Sequence, residues 1–167
     1  MASINGVSIK SLKIFKGHDG EPLYQGNVYY KGRKLGFWSQ DAHGGIEDNF
    51  LFDESQLKEA ADDYRDHSGK VEDEYKEYFD VSALLCEVAD LTQAEKEFKK
   101  AAKKGYKAVI RVRNKIYQAF LLSATESPLA EDVDRAVKSL GMESSARTGE
   151  TMTELFTADS FDKVYSA

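Results

Sequence analysis

Alternating apolar and polar positions run through the first forty residues of the chain. Such alternation, with residues rich in β-branched and aromatic side chains, is typical of half-buried β-strands. The segments that show it are residues 8–15, 23–30 and 34–39. Gly-containing turns at 17–20 and 31–33 separate them, so the pattern predicts a three-stranded antiparallel meander.

Helical spacing begins after residue 53. Apolar side chains at i, i+3, i+4 and i+7 predict a helix over residues 55–66, with Asp53 as its N-cap. These side chains are Leu57, Ala60, Ala61 and Tyr64. Residues 71–79 carry a similar pattern and predict a second helix that buries Val71, Tyr75, Tyr78 and Phe79.

A third helix is predicted over residues 92–104, where Thr92 and Glu95 match a capping box and Gly105 suits the position after the helix end. Its apolar positions are Ala94, Phe98, Ala101 and Ala102. The apolar segment 81–88 just before it fits either a helix or a strand, and we interpret it as a strand.

The remaining elements complete a recognisable order. Residues 108–113 and 115–123 predict a hairpin around Asn114, residues 127–141 a helix, and residues 152–156 an edge strand. From residue 81 onward the order is β-α-β-β-α-β, which is that of a ferredoxin-like unit. The sequence therefore predicts an α+β fold. The N-terminal meander with two helices (1–79) packs on a ferredoxin-like half (80–167), as two domains or one continuous domain.

Composition narrows the class of protein. A chain of 167 residues with 41% hydrophobic content suits one domain or two small ones. The sequence has no apolar run of about 18 residues, which a membrane-spanning helix needs, and no signal-peptide pattern near residue 1. Cys86 is the single cysteine, so no internal disulfide framework forms. The default expectation is a cytoplasmic protein.

Charge is distributed unevenly around the total of −6. Residues 1–40 carry +4, residues 41–90 carry −12 and residues 91–167 carry +2. Within the last part, residues 96–115 alone carry +8. Charge asymmetry of this kind bears on partners and association rates rather than on fold.

The helix predicted at 55–66 presents acids opposite its apolar stripe. They are Glu59, Asp62, Asp63 and Asp66. The three aspartates lie near the helix C-terminus, where the helix dipole disfavours negative charge by about 0.3–1 kcal/mol each, so helix stability alone does not account for them. Helical turns repeat about every 5.4 Å, which is of the order of phosphate spacing along one nucleic-acid strand. We interpret these acids as the candidate partner-binding residues.

The basic segment allows an alternative. Cations near a helix C-terminus are favoured by the dipole, so a solvated helix face accounts for most of the lysines. The functional alternative is a phosphate-binding surface for nucleic acid. Its contacts are Lys99, Lys103, Arg111 and Arg113.

Catalytic and metal-binding chemistry has little support in the sequence. His18, Asp41 and His43 fall in polar loops without the spacing of a known metal site, and Cys86 sits among apolar neighbours, as a small core residue does. No phosphate-binding loop, dinucleotide fingerprint, Ser-His-Asp order or HExxH motif is present. We therefore assign no catalytic residue, metal or cofactor.

These observations favour a non-enzymatic binding or inhibitor protein whose acidic surface engages a basic, nucleic-acid-binding protein by mimicking DNA charge. Small acidic proteins of this profile are common among phage and mobile-element counter-defence factors, including anti-CRISPR proteins; this is an analogy of size, charge and missing catalytic motifs. Three alternatives stay open: a nucleic-acid-binding module using 96–115, a small enzyme assembled from dispersed residues such as His18, Asp41 and His43, and self-association of the acidic and lysine helices. The oligomeric state is open as well.

Overall fold

The computed structural model describes residues 1–18, 20–41, 47–112, 115–119 and 153–167. The chain divides into two compact units: Met1–Thr92 together with Asp162–Ala167, and Gln93–Phe161. The predicted mixed α+β class is confirmed, with a six-stranded sheet accompanied by helices. The predicted boundary between residues 79 and 80 stays a prediction.

Strands and helices have the following bounds in the described residues. The strands are β1 Ser3–Ile4, β2 Val7–Lys16, β3 Pro22–Tyr30, β4 Arg33–Asp41, β5 Glu47–Phe50, β6 Ala108–Val112, β7 Lys115–Ala119, β8 Thr153–Phe156 and β9 Asp162–Lys163. The helices are α1 Lys58–His67 and α2 Val81–Ala102, with short 3₁₀ helices at Glu54–Leu57, Asp73–Tyr78 and Ala158–Phe161.

The sheet of the first unit has the strand order β5-β4-β3-β2-β1-β9. Neighbouring strands are antiparallel except β1 and β9, which run parallel. A tight turn at Lys31 and Gly32, with φ of 47° and 81°, joins β3 to β4. Positive φ at both central residues matches the twist of the flanking strands.

Strand β2 contains a bulge that changes which side chains share a face. Lys10 pairs with Asn27 and Lys13 pairs with Gln25, so two residues of β2 oppose a single residue of β3. Ser11, within the bulge, has φ of 55°. Because Asn27 and Gln25 lie on one face of β3, both lysines lie on that face although they are three positions apart.

The opposite face of this sheet carries the core of the first unit. Trp38 is fully buried, and its ring stacks on Tyr24 with 6.3 Å between centroids. The Tyr24 hydroxyl donates to Asp90 Oδ1 at 2.6 Å, and Gln40 Nε2 donates to Cys86 Sγ at 3.5 Å. The N-terminal half of α2 therefore packs against this face.

Residues 81–88 begin helix α2, so the strand predicted there is wrong. Asp80 caps the helix, since its Oδ1 accepts from the Ala83 backbone N–H at 2.9 Å. Fully buried side chains then recur at helical spacing. They are Leu84, Leu85, Val88 and Ala89. Without a strand at 81–88, the predicted ferredoxin-like order loses its first element.

The capping box predicted at Thr92 and Glu95 is wrong for the same reason. Thr92 lies inside α2, where its Oγ1 donates to the Val88 carbonyl at 2.7 Å. Glu95 is 8% exposed and pairs with Lys99 Nζ at 2.8 Å. A capping-box sequence marks a helix start only where the preceding residues are not helical, and here they are.

The second unit contains a three-stranded antiparallel sheet in the order β7-β6-β8. These strands fall within the segments predicted at 108–113, 115–123 and 152–156, of which residues 113, 120–123 and 152 lie outside the described residues. Phe161 packs on Phe98 and Phe156, with ring centroids 5.4 and 5.6 Å away. Asn114 and the helix predicted at 127–141 lie outside the described residues.

Candidate functional site

Helix α1 buries the stripe that the sequence predicts. Leu57, just before the helix, is fully buried, and Ala60, Ala61 and Tyr64 are at most 3% exposed. The Tyr64 ring stacks on Phe79 at 5.4 Å, and its hydroxyl donates to a Glu87 carboxylate oxygen at 2.9 Å. The opposite side of α1, which carries the acids, is thereby directed away from the core.

Asn5 fastens α1 to the edge of the sheet. Its Nδ2 donates to the Ala60 carbonyl at 3.0 Å, and its Oδ1 accepts from the Tyr165 backbone N–H at 2.7 Å. The φ of Asn5 is 48°, a left-handed conformation that asparagine tolerates better than most residues. One side chain thus connects the turn before β2, the acidic helix and the segment after β9.

Two of the four predicted partner-binding acids are paired within α1. Asp62 accepts from Lys58 Nζ at 2.9 Å and from Arg65 Nη1 at 2.7 Å. Asp66 accepts from Arg65 Nε and Nη2, both at 2.8 Å. Hydrogen bonding from Lys58 lowers the pKa of Asp62, and hydrogen bonding from Arg65 lowers the pKa of Asp66. Both carboxylates are therefore ionised at neutral pH.

These pairs supply a local reason for aspartates near a helix C-terminus. Arg65 lies in the last turn, where the dipole favours a cation, and it bridges Asp62 and Asp66. Sequence reasoning missed Lys58 and Arg65, although the spacings i, i+4 and i, i+3 that join them to Asp62 are readable from the sequence. Of the other two predicted partner-binding acids, Glu59 is exposed and Asp63 is partly exposed.

The segment after α1, residues 71–79, differs from its prediction and exposes further side chains beside the acids of α1. Residues 73–78 form a 3₁₀ helix rather than part of a longer α-helix. Tyr75 and Tyr78, both predicted to be buried, are 58% and 72% exposed. The segment lies beside α1, because Tyr64 stacks on Phe79 and the charge of Lys76 helps to lower the pKa of Asp66.

We call this combined area the acidic surface. It consists of the outward side of α1 and the 3₁₀ helix at Asp73–Tyr78 with the preceding Glu72, and exposed tyrosine rings lie among its carboxylates. Its members are Glu59, Asp62, Asp63, Asp66, Glu72, Asp73, Glu74, Tyr75, Glu77 and Tyr78. Tyrosines of this kind are large, rigid and amphipathic, which are the properties of binding anchors at protein interfaces.

The structure places the predicted phosphate-binding residues on different elements of the chain. Lys99 pairs with Glu95 at 2.8 Å, while Lys103 is exposed after the end of α2. Arg111 belongs to β6, between Ile116 and Glu154 of its neighbouring strands. Arg113 lies outside the described residues. The alternative that uses 96–115 stays a prediction.

Two of the three residues considered for catalysis or metal binding lie in the described part of the chain. His18 is exposed in the turn between β2 and β3, Asp41 ends β4, and His43 lies outside the described residues. No group of three or more His, Cys, Asp or Glu side chains able to hold a metal occurs among the described residues. Burial raises the pKa of the Cys86 thiol to about 12, which suppresses thiolate chemistry at neutral pH.

Comparison of the chain with protein-family models, with curated proteins and with solved structures finds no match. Among the described helices, none combines the length and the apolar content that crossing a membrane requires. The geometry of the acidic surface is therefore what bears on function.

Proposed function

We propose that this chain is a non-enzymatic, cytoplasmic binding protein whose acidic surface engages a basic protein partner. The observation that carries the proposal is the exposure of Tyr75 and Tyr78 among carboxylates beside α1. Exposing two large rings costs hydrophobic burial, so a partner that covers them regains it. Neighbouring acids select a partner of positive charge and accelerate its association.

In its sharpest form the proposal is an inhibitor that occupies the nucleic-acid-binding groove of its partner. Such a groove is lined by Lys and Arg side chains that bind phosphates. Carboxylates on successive turns of α1 replace the phosphates, and the two tyrosines occupy places that bases otherwise fill. This mode of action corresponds to a DNA mimic of the kind found among phage or mobile-element counter-defence proteins, including anti-CRISPR proteins.

The first experiment is an affinity capture from the native host at low salt, with mass spectrometry and nucleic-acid detection. The recovered protein is then produced pure, and its affinity is measured against wild type and two variants. One variant replaces the acids of α1: Glu59→Gln, Asp62→Asn, Asp63→Asn and Asp66→Asn. The other replaces the rings: Tyr75→Ser and Tyr78→Ser. We expect each to weaken binding about tenfold or more, because central aromatic anchors and complementary charges dominate such interfaces.

A control removes three charges elsewhere, one fewer than the acid variant, while leaving the acidic surface intact, through Glu21→Gln, Glu97→Gln and Asp159→Asn. We expect this control to bind within about threefold of wild type at moderate salt, since distant charges are largely screened there. Unchanged affinity in the acid variant, or equal losses in variant and control, would contradict the proposal. A labelled duplex that the recovered partner holds should be displaced by wild type and retained in the presence of the acid variant.

A further inference from the structure

The face of the first unit's sheet that points away from α2 has a different chemical character. Register places Ser8, Tyr29 and Lys34 in one row across three strands. The next row contains Lys10, Asn27 and Phe37. A third row contains Lys13, Gln25, Ser39 and Asn49. Directly paired residues share a face, so these side chains lie on one face, which we call the outer sheet face. Ser8 is buried there at 3% exposure.

Within those three rows the outer sheet face carries three lysines and two aromatic rings, and the next row of the same face pairs Asp41 with Glu47. Lys10, Lys13 and Lys34 are exposed. The bulge at Ser11 is what places Lys13 beside Lys10. The three rows are therefore locally positive in a protein whose net charge is −6, and the acids of this face lie beyond Ser39 and Asn49, at the end of β4.

The aromatic rings are accessible and arranged along a diagonal. Tyr29 and Phe37 are partly exposed, and Phe37 pairs with Asn27, two residues from Tyr29. Diagonal neighbours on a sheet lie about 7–8 Å apart, roughly twice the 3.4 Å rise per nucleotide of a duplex strand. Bases stacked on these two rings would therefore be unstacked from each other, as in an extended single strand and not in a duplex.

Polar groups between the rings match the same ligand. Asn27 and Gln25 lie between the lysines of β2 and the side chains of β4, and amides can hydrogen-bond the edges of splayed bases. Lys10 Nζ lies over the Tyr29 ring, 4.2 Å from its centroid, so a base can stack on this face of the ring only when a phosphate draws the ammonium aside. Single-stranded nucleic acid combines the negative backbone and the flat apolar faces that this surface complements.

We propose that the outer sheet face binds single-stranded nucleic acid, with Lys10, Lys13 and Lys34 on phosphates and Tyr29 and Phe37 stacking on bases. This site is distinct from the acidic surface and from the basic segment 96–115. It adds a second ligand class to a protein whose other face is directed to a basic protein.

The test is an anisotropy titration of a fluorescein-labelled twenty-nucleotide oligo-dT with the full chain. We expect binding at about 50 mM salt with a log–log salt slope near −2, since three lysines each release about 0.7 counterion from a single strand. The variant K10Q/K13Q/K34Q should bind at least tenfold more weakly and lose most of the slope. Absence of binding by wild type at low salt would overturn the proposal.

Two matched variants separate this site from general electrostatic attraction. K96Q/K104Q/K107Q removes the same charge from exposed lysines on and just after α2 and should leave oligo-dT binding unchanged. Tyr29→Leu should weaken binding about fivefold or more through lost stacking while keeping the salt slope. A larger loss in the α2 variant than in the sheet variant would overturn the proposal, as would equal affinity for a duplex or for poly-glutamate of the same charge.

A measurement on the unaltered protein keeps the test independent of variant folding. Oligo-dT carrying 5-bromodeoxyuridine is cross-linked to wild type by ultraviolet light, and the modified peptides are mapped. Cross-links within residues 23–39 support the outer sheet face. Cross-links confined to residues 96–112 assign the binding to the basic segment and overturn the proposal.

Discussion

Arg65 is the residue that most changes the interpretation of the acidic helix. Its guanidinium bridges Asp62 and Asp66 and so compensates two of the aspartates that oppose the helix dipole. A local ion-pair network thus accounts for part of what the sequence attributes to partner binding. The proposal of an acidic surface then depends on the exposed tyrosines as much as on the carboxylates.

The pKa values of Asp62 and Asp66 provide a test of this ion-pair network. Both lie below the ordinary value because of Lys58 and Arg65. A depressed folded-state pKa contributes stability above the unfolded value, and this contribution is lost as pH falls through the folded value. We expect Arg65→Gln to raise both carboxyl pKa values in an NMR titration and to weaken the acid dependence of unfolding. Lys70→Gln is the control, and equal shifts in both variants would refute the assignment.

Sequence patterns predicted some of these residues well and others poorly. The buried stripe of α1 was predictable because four apolar residues at helical spacing leave a single face to bury. The exposure of Tyr75 and Tyr78 was not predictable, because an i, i+3 pair of rings fits an amphipathic helix as well as a short exposed 3₁₀ helix. Five acids within residues 72–80 were the available signal against burial.

Helix α2 is the element on which the predicted fold and the structure differ most. Periodicity alone does not separate a short apolar strand from a buried helical segment, and residues 81–88 are such a case. The capping-box match at Thr92 predicts a helix start there, whereas α2 runs through Thr92 without interruption. A local helix-start signal is therefore weaker evidence than the helical spacing of four apolar residues that the structure shows to be buried: Leu84, Leu85, Val88 and Ala89.

Substitution of Gln93 by proline distinguishes the two interpretations. In a helix that begins at Thr92, residue 93 is the first helical position, where proline is well tolerated. In the continuous α2, proline removes a hydrogen bond and clashes with the preceding turn, which costs about 3 kcal/mol or more. We expect Gln93→Pro to lower the free energy of unfolding in urea by this larger amount. Gln93→Ala, the control, should stay within about 0.5 kcal/mol of wild type.

Across the whole molecule, the first unit is completed by residues far along the chain. Strand β9 pairs with β1, and the Tyr165 ring contacts Tyr64 edge-on with 5.2 Å between centroids. No local pattern predicts this pairing, because β1 and β9 contain only two residues each. Short strands carry too little periodicity to be recognised before their partners are known.

Tyr165→Ala tests the packing of the segment after β9 on the first unit. Loss of the ring contact with Tyr64 should lower the free energy of unfolding by about 1–3 kcal/mol, measured through the fluorescence of buried Trp38. The neighbouring Val164 is 74% exposed, so Val164→Ala should change stability by less than about 0.5 kcal/mol. Equal effects of the two substitutions would place residues 162–165 away from the first unit.

The pairing of β1 with β9 also has a consequence for synthesis on the ribosome. Ser3 and Asp162 are 159 positions apart, and translation proceeds at about 5–20 residues per second. For roughly 8–30 seconds, each nascent chain therefore exposes the edge of β1 without its final neighbour. Exposed edges invite pairing with other chains, and very short edge strands resist it. The two-residue length of β1 protects the growing chain during that interval.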